Sequence, residues 1–340
     1  MNIYKLIRLN RFVKSHRLKF AAILAADMLN MRYLNIYLDP TLACNLRCKM
    51  CHHSCAKDEQ TFAGQFSFEE IGRLAQLFFP NAVRLQIGCG AEPTMYREFV
   101  DVIKLGRDFG IPHIVMTTNG QLLTEKRIEE LVRCGLDELC LSTHGVQKKT
   151  YEELMVNASF ERFLNVLTLI DNAKRSHASA TPRLRLNYTI NPDNLNELEE
   201  FFDVYGKSDI SVLQVRPMNR LPGQIYTWRE VDKACYSRIV LRLRSECKRR
   251  GILFLATHVA EHAGEQGSTQ THAHSAVIYD AVTRHIYPNE LVWHHDFDWK
   301  NESLRDYCKR IKWRGYLLKC LMSRIQHIPA PGYVARFDIE

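Results

Sequence analysis

The chain has 340 residues, 46% of them hydrophobic, which is enough for one large core with additions and argues against several equal domains. Its 11 cysteines follow no secreted framework; with no signal peptide and no apolar run near the ~18 residues of a membrane span, free thiols in a reducing cytosol are expected. The net charge of +8 is modest for this length and makes no case for nucleic acid as a partner.

Residues 1–32 come first. Lys5, Arg8, Arg11, Lys14, Arg17, Lys19 and Arg32 face a single acid, Asp27, with Ile3, Ile7, Phe12, Val13, Phe20, Ile23 and Leu24 interspersed. The pattern predicts helix. A basic amphipathic helix of this kind either closes one end of the core with a solvated face or lies on an anionic membrane surface. From residue 33 onward strands and helices alternate. The runs Tyr33–Leu38, Val83–Gly88, His113–Thr117, Glu138–Ser142, Leu184–Ile190 and Val212–Arg216 predict six strands. Between them Ser67-Phe68-Glu69-Glu70 is a capping box opening a helix over Ile71–Phe79, and helices are predicted over Phe99–Phe109, Glu125–Cys134, Phe160–Lys174 and Leu195–Tyr205. Repeated units of this kind require right-handed crossovers and a parallel sheet. After Pro217 the pattern changes to a helix over Arg229–Arg250, an apolar run Ile252–Ala256, a His-rich polar loop Thr257–His274, Ala276–Tyr279, Ile286-Tyr287-Pro288 and a helix over Glu302–Ile311. The chain thus divides into 1–32, 33–218 and 219–340.

Directly after the first strand stands Cys44-Asn45-Leu46-Arg47-Cys48-Lys49-Met50-Cys51, three cysteines at C-x3-C-x2-C. Thiolates are the ligands of iron–sulfur clusters, and a cubane takes four. Three in one loop leave the fourth iron open, which points to chemistry on that iron. The competing reading is a zinc site with His52, His53 or Cys55 as fourth ligand, and hence a non-catalytic zinc or iron–sulfur binding module. Zinc sites pair two short ligand units far apart in sequence, and no second unit is visible. Gly88-Cys89-Gly90 does not open a dinucleotide fingerprint, because Pro93 stands where that pattern wants glycine.

The cysteine motif, Gly90-Ala91-Glu92-Pro93 after the second strand, Thr117-Thr118-Asn119-Gly120 after the third and Ser142 ending the fourth together resemble the radical S-adenosylmethionine (SAM) enzymes over residues 33–218. The resemblance implies an α/β fold: a partial (β/α)6 TIM-type barrel with an N-terminal helix and a small α+β C-terminal extension, its chemistry at the C-terminal ends of the strands. It implies that Cys44, Cys48 and Cys51 hold three irons of one 4Fe–4S cluster and that SAM chelates the fourth through its amino and carboxylate groups. Met50, where the family has an aromatic residue, would cover the adenine. The backbone of Gly90, Ala91, Glu92 and Pro93 would pair with the methionyl amino group, glycine allowing the close approach. Asn119 and Ser142 join the SAM-binding set, Ser142 as a ribose or carboxylate contact. Asn187 and Thr189 share one strand face and are polar groups available to SAM or substrate. Arg216 either pairs with a carboxylate or forms a surface ion pair. His144 is a proton donor or substrate contact, or a rim histidine. Cys55 and Cys89 are reactive thiols, extra ligands or small packing residues.

The C-terminal part resembles a SPASM-like extension. Where cluster-bearing relatives place a cysteine this chain has Asn289, so the extension is expected to have lost its clusters. Histidines 258, 262, 272, 274, 294 and 295 either bind a metal or line a solvated loop. The expected function is reductive SAM cleavage to a 5′-deoxyadenosyl radical that takes hydrogen from a peptide or protein, or from a small molecule such as a surface-glycan precursor. Expected partners are an electron donor such as flavodoxin or ferredoxin, the substrate, and peripherally a membrane through residues 1–32, in a cytoplasmic setting.

Overall fold

Apolar residues alternate with polar ones along nearly every strand, and the alternation decides how the sheet is built. The computed structural model describes residues 13, 15–54, 64–218, 225–256, 277–278, 283–293 and 297–322. Within these, β1 (Leu34–Leu38), β2 (Ala82–Ile87), β3 (Ile114–Thr118), β4 (Glu138–Thr143), β5 (Arg183–Ile190) and β6 (Ile210–Pro217) pair in order and in parallel. Leu34, Ile36 and Leu38, Leu85 and Ile87, Ile114 and Met116, Leu139 and Leu141, Leu184 and Leu186, and Leu213 and Val215 all belong to one buried core. That core also holds the apolar faces of α2 (Phe68–Phe78), α3 (Phe99–Asp108), α4 (Glu125–Arg133) and α6 (Phe160–Ser176). The helices therefore cover one face of the sheet. The other face carries Asn35, Tyr37, Arg84, Gln86, Thr117, Glu138, Arg185 and Asn187, joined by cross-strand contacts such as Gln86 Nε2 to Thr117 Oγ1 at 3.2 Å. This polar face is the concave interior of a partial barrel, and the fold is α/β as expected.

The sheet is wider than six strands. β7 (Leu253–Ala256) adds in parallel to β6, and β9 (Thr283–Ile286) adds in parallel to β1; among the described strands only β8 (Val277–Ile278), on β9, is antiparallel. Both flanking parallel strands come from the segment after residue 218, so the expected small extension continues the sheet at both edges. Further departures are local. The helix expected over Leu195–Tyr205 begins as a 3-10 turn, Asn196–Glu200, before α7 (Phe201–Tyr205). α5 (Lys148–Leu154), α9 (Pro288–Trp293) and α11 (Trp313–Met322) were not anticipated; α8 (Lys233–Arg250) and α10 (Leu304–Arg310) start at Asp232 and Ser303 caps. The capping box on α2 forms as read, Ser67 Oγ accepting from Glu70 N and Ser67 N donating to Glu70. Cys55 and the histidines at 258, 262, 272, 274, 294 and 295 lie outside the described residues.

At the N-terminal ends of the strands α1 (His16–Met28) packs Phe20 and Ile23 into the core. Asp27 takes hydrogen bonds from Tyr33 Oη (2.6 Å) and Arg314 Nε (2.7 Å), which ties α1 to α11. Arg32, counted in the sequence as part of a basic face, donates instead to the carbonyls of Phe79 (2.9 Å), Ala82 (3.0 Å) and Phe109 (2.6 Å) and closes the bottom of the barrel. The described part of this segment thus caps the barrel, and the membrane reading of residues 1–32 gains no support; no described helix is long and apolar enough to cross a membrane. Arg32→Met removes a charged donor from three carbonyls and is expected to cost about 2–4 kcal/mol. Urea denaturation measures it, and a loss below about 0.5 kcal/mol would show that the clamp is solvent-exposed decoration.

Candidate active site

The cysteine loop leaves the C-terminal end of β1 and is held at many points. Arg47 N and Lys49 N donate to Val156 O (3.0 Å) and Leu154 O (2.9 Å), Tyr226 N donates to Lys49 O (3.1 Å), and Glu92 N donates to Ala43 O (3.0 Å). Leu46 is buried beneath it. Met50 packs with Leu154, Met218 and Tyr226, and its Sδ accepts from Asn191 Nδ2 at 2.9 Å. Cys44, Cys48 and Cys51 are half-buried thiols outside any disulfide. Burial, then the proximity of Glu92 and Cys51, pushes the Cys44 thiol up to about 11 against the pull of Leu46 N–H. Burial, then Cys51 and Cys44, raises Cys48 further. Three thiolates this close together need cationic partners to ionise, and irons supply them. Among the described residues no three His, Cys, Asp or Glu side chains converge tightly enough for a single metal ion.

The turn after β2 stands beside this loop. Its left-handed residue is Gly88 (φ 78°), where a Cβ would lie 2.3 Å from Thr117 O. Asp39, at the end of the first strand run, holds the turn: its carboxylate accepts from Cys89 N (2.7 Å) and Gly90 N (3.0 Å). Burial raises the Asp39 carboxyl above its usual range, opposed by those same N–H groups and that of Ala91. No motif announced Asp39; its signal was only its position between the strand and the cysteines. Glu92 is fully buried and does not face open space. Its carboxylate accepts from Thr118 Oγ1 (2.6 Å), Asn119 N (2.8 Å), Thr94 N (3.1 Å) and Thr94 Oγ1. Pro93 opens the short 3-10 turn Pro93–Met95 that follows. Asn119 is also spent on protein: Nδ2 donates to Asn45 Oδ1 (2.9 Å), and Oδ1 accepts from Gln121 N (2.9 Å).

Asn289 reaches the same place from the C-terminal segment. Its Nδ2 donates to Asp39 O (2.6 Å) and its Oδ1 accepts from Asp39 N (2.9 Å), while the residue is buried. The side chain that replaces the expected cluster cysteine therefore pins the residue that holds the turn. Asn289→Ala is expected to keep the iron but to weaken SAM binding about tenfold, since two hydrogen bonds worth about 1 kcal/mol each disappear from the support of the turn. A SAM titration of cluster-loaded protein checks it; unchanged affinity would disconnect the C-terminal segment from the turn.

The remaining expected residues line the barrel interior near its mouth. Ser142 is half-buried on β4 and pairs in register with Asn187 on β5. Asn187 Oδ1 accepts from Arg185 Nε (2.9 Å), and Thr189, buried, pairs in register with Arg216 on β6. Arg216 has Arg185, Cys140 and Cys51 near enough to act on its charge, and its side chain is solvent-accessible. It makes no hydrogen bond or ion pair among the described residues. His144 is half-buried, with Nδ1 fully enclosed and without a partner. Burial and the charge of Arg216 lower it to about 4, so the ring is neutral near pH 7. Cys89 Sγ and Cys140 Sγ contact protein oxygens, Gln86 O and Glu138 Oε1, each at 3.6 Å.

Residues 38–205 match the family model of the Radical SAM superfamily, and the chain belongs to that superfamily. The members of that superfamily are enzymes that use a 4Fe–4S cluster and SAM. Curated relatives include a probable GTP 3′,8-cyclase of Saccharolobus solfataricus, 26% identical over 181 residues, covering 52% of this chain and 56% of the relative. Another, of Sulfolobus acidocaldarius, is 28% identical over 211 residues, covering 61% and 62%. The chain thus spans little more than half the length of the relatives it matches. Among solved structures, Streptococcus suis SuiB bound to S-adenosylmethionine superposes with a TM-score of 0.58 at 19% identity, covering 78% of this chain and 61% of that one. That similarity is one of fold.

Proposed function

We propose that this enzyme cleaves SAM reductively and uses the product radical to take a hydrogen atom from a substrate held in the barrel. A cluster held by Cys44, Cys48 and Cys51 would, when bound and given one electron by an external reductant, supply the chemistry for reductive cleavage of a carbon–sulfur bond of SAM to methionine and a 5′-deoxyadenosyl radical. The protein's own part is positioning. Cys44, Cys48 and Cys51 present three thiolates from one clasped loop, which is the observation that carries the reading. The turn Gly90-Ala91-Glu92-Pro93, braced by Asp39 below and Glu92 within, offers its backbone to the methionyl end. Met50 and the mouth residues Ser142, Asn187 and Thr189 bound the space for the nucleoside, and the barrel wall keeps bulk water from the radical. Asn289, standing where a further cluster ligand is expected, supports a single cluster per chain. Free thiols and an oxygen-sensitive cluster suit a cytoplasmic setting with flavodoxin or ferredoxin as donor.

The substrate follows from neither relative. The cyclase match stops at about half of each chain, and the peptide-bound state of SuiB belongs to that protein. GTP is the first small molecule to test, because the relatives' name supplies it. Anaerobically reconstituted protein given dithionite and SAM is expected to form 5′-deoxyadenosine and methionine in equal amounts, with iron equal to one cubane. Full iron loading without SAM cleavage would refute the reading, and iron near twice that amount would refute the single cluster.

A further inference from the structure

The interior face of the barrel is more cationic than its own carboxylate can neutralise. Glu138, fully buried, pairs with Arg185 at 3.2 Å. Arg84 has no carboxylate: it donates to Gln86 Oε1 (2.6 Å) and Asn35 Oδ1 (3.4 Å), both neutral, lies over the Tyr37 ring at 5.7 Å, and its Nε is buried without a partner. His285, which contacts Asn35 at 3.2 Å, is kept neutral by burial and by Arg84. Higher up, between Arg185 and the cysteine loop, Arg216 has no partner among the described residues. Its side chain is solvent-accessible, and the charge of Arg185 nearby adds repulsion. Beside it stands His144, whose Nδ1 is enclosed and unpaired and whose ring feels the Arg216 charge. The register of β4, β5 and β6 thus brings His144, one residue past Thr143, and Arg216, opposite Thr189, to neighbouring strand ends at the mouth; the His144 ring is also bonded to the Thr143 backbone, and the guanidinium is solvent-accessible. A planar fork of donors with nothing to bind matches an oxyanion.

We propose that Arg216 and His144 form the substrate-recognition pair of this barrel, and that the substrate presents a carboxylate or phosphate to them. The inference rests on the SAM-cleaving reading and deepens it, moving Arg216 from cofactor to substrate.

The test uses cluster-loaded protein holding SAM, titrated by calorimetry with pyrophosphate and, separately, with succinate. The two arms distinguish a phosphate from a carboxylate ligand. At least one anion is expected to bind the wild type. Arg216→Gln should weaken it tenfold or more, Arg216→Lys should lie between, and His144→Ala should weaken it several-fold. SAM affinity, read from the cluster's EPR signal, should move less than threefold in Arg216→Gln. Its thermal midpoint should stay level or rise, because no contact is lost and repulsion with Arg185 is relieved; a purely structural Arg216 would lower it. Absence of binding by either anion, equal binding in wild type and Arg216→Gln, or a tenfold loss of SAM affinity in that variant each overturns the proposal. Failure of the underlying reading shows separately and earlier, as protein that takes up no iron or binds no SAM before any anion is added.

Discussion

Cys48→Ala protein is expected to emerge from anaerobic reconstitution with about a tenth or less of the wild-type iron and without the broad visible absorbance of a cluster, and Cys44→Ala and Cys51→Ala should match it. Each thiolate is one of three, and the fourth iron has no protein ligand to compensate. The fold should survive, because the loop is held by backbone bonds to Leu154 and Val156 and by buried Leu46 and Met50, none of which involves the sulfurs. Cys89→Ala and Cys140→Ala are the controls, since their sulfurs contact Gln86 O and Glu138 rather than the loop. Iron retained at more than half by Cys48→Ala, or lost from Cys89→Ala, would move the ligand set. Circular dichroism on each variant separates lost iron from lost fold.

Much of this arrangement was legible in the sequence because its strands alternate. Leu184–Ile190 was expected and Arg183–Ile190 is found, since leucines at every second position leave only one face to the helices. The edges were not legible. Thr283–Ile286 is four residues long and carries Arg284 and His285, and its pairing with β1 joins segments roughly 250 positions apart, which no local pattern records. α5 escaped because its cap, Gln147, makes no side-chain capping bond that a motif could announce. In the site the motifs found the right stretches but not the division of labour within them. Glu92, Asn119 and Asp39 hold the loops to one another, whereas Arg216 has no partner among the described residues and His144 keeps Nδ1 unbonded. Hydrogen-bond partners decide which polar residue is structural, and partners brought together from several strand ends are invisible to spacing.

Glu92→Ala is expected to destabilise the protein by about 3–5 kcal/mol and to abolish measurable SAM binding in whatever folds. The carboxylate is buried where the turns after β2 and β3 and the 3-10 turn at Pro93–Met95 meet, and it serves four donors from three residues. Removal leaves the amides of Asn119 and Thr94 buried without acceptors at about 1–3 kcal/mol each, while the hydroxyls of Thr94 and Thr118 can turn elsewhere. Asn119 would then loosen its hold on Asn45, and with it the loop between Cys44 and Cys48. Glu92→Gln should do about half as much damage: one oxygen still accepts, but the amide NH2 faces a donor. Burial raises the Glu92 carboxyl above its usual range while the four donors oppose it. The folded protein therefore keeps the proton more readily than the unfolded chain, and the stability tied to this group declines as pH rises through the raised value. Urea denaturation of cluster-free protein isolates the structural cost, and SAM titration of the loaded protein reads the functional one. A Glu92→Ala protein within about 1 kcal/mol of wild type would mean that water enters and satisfies the four donors. Full SAM affinity in the same protein would mean that the turn keeps its shape without its brace.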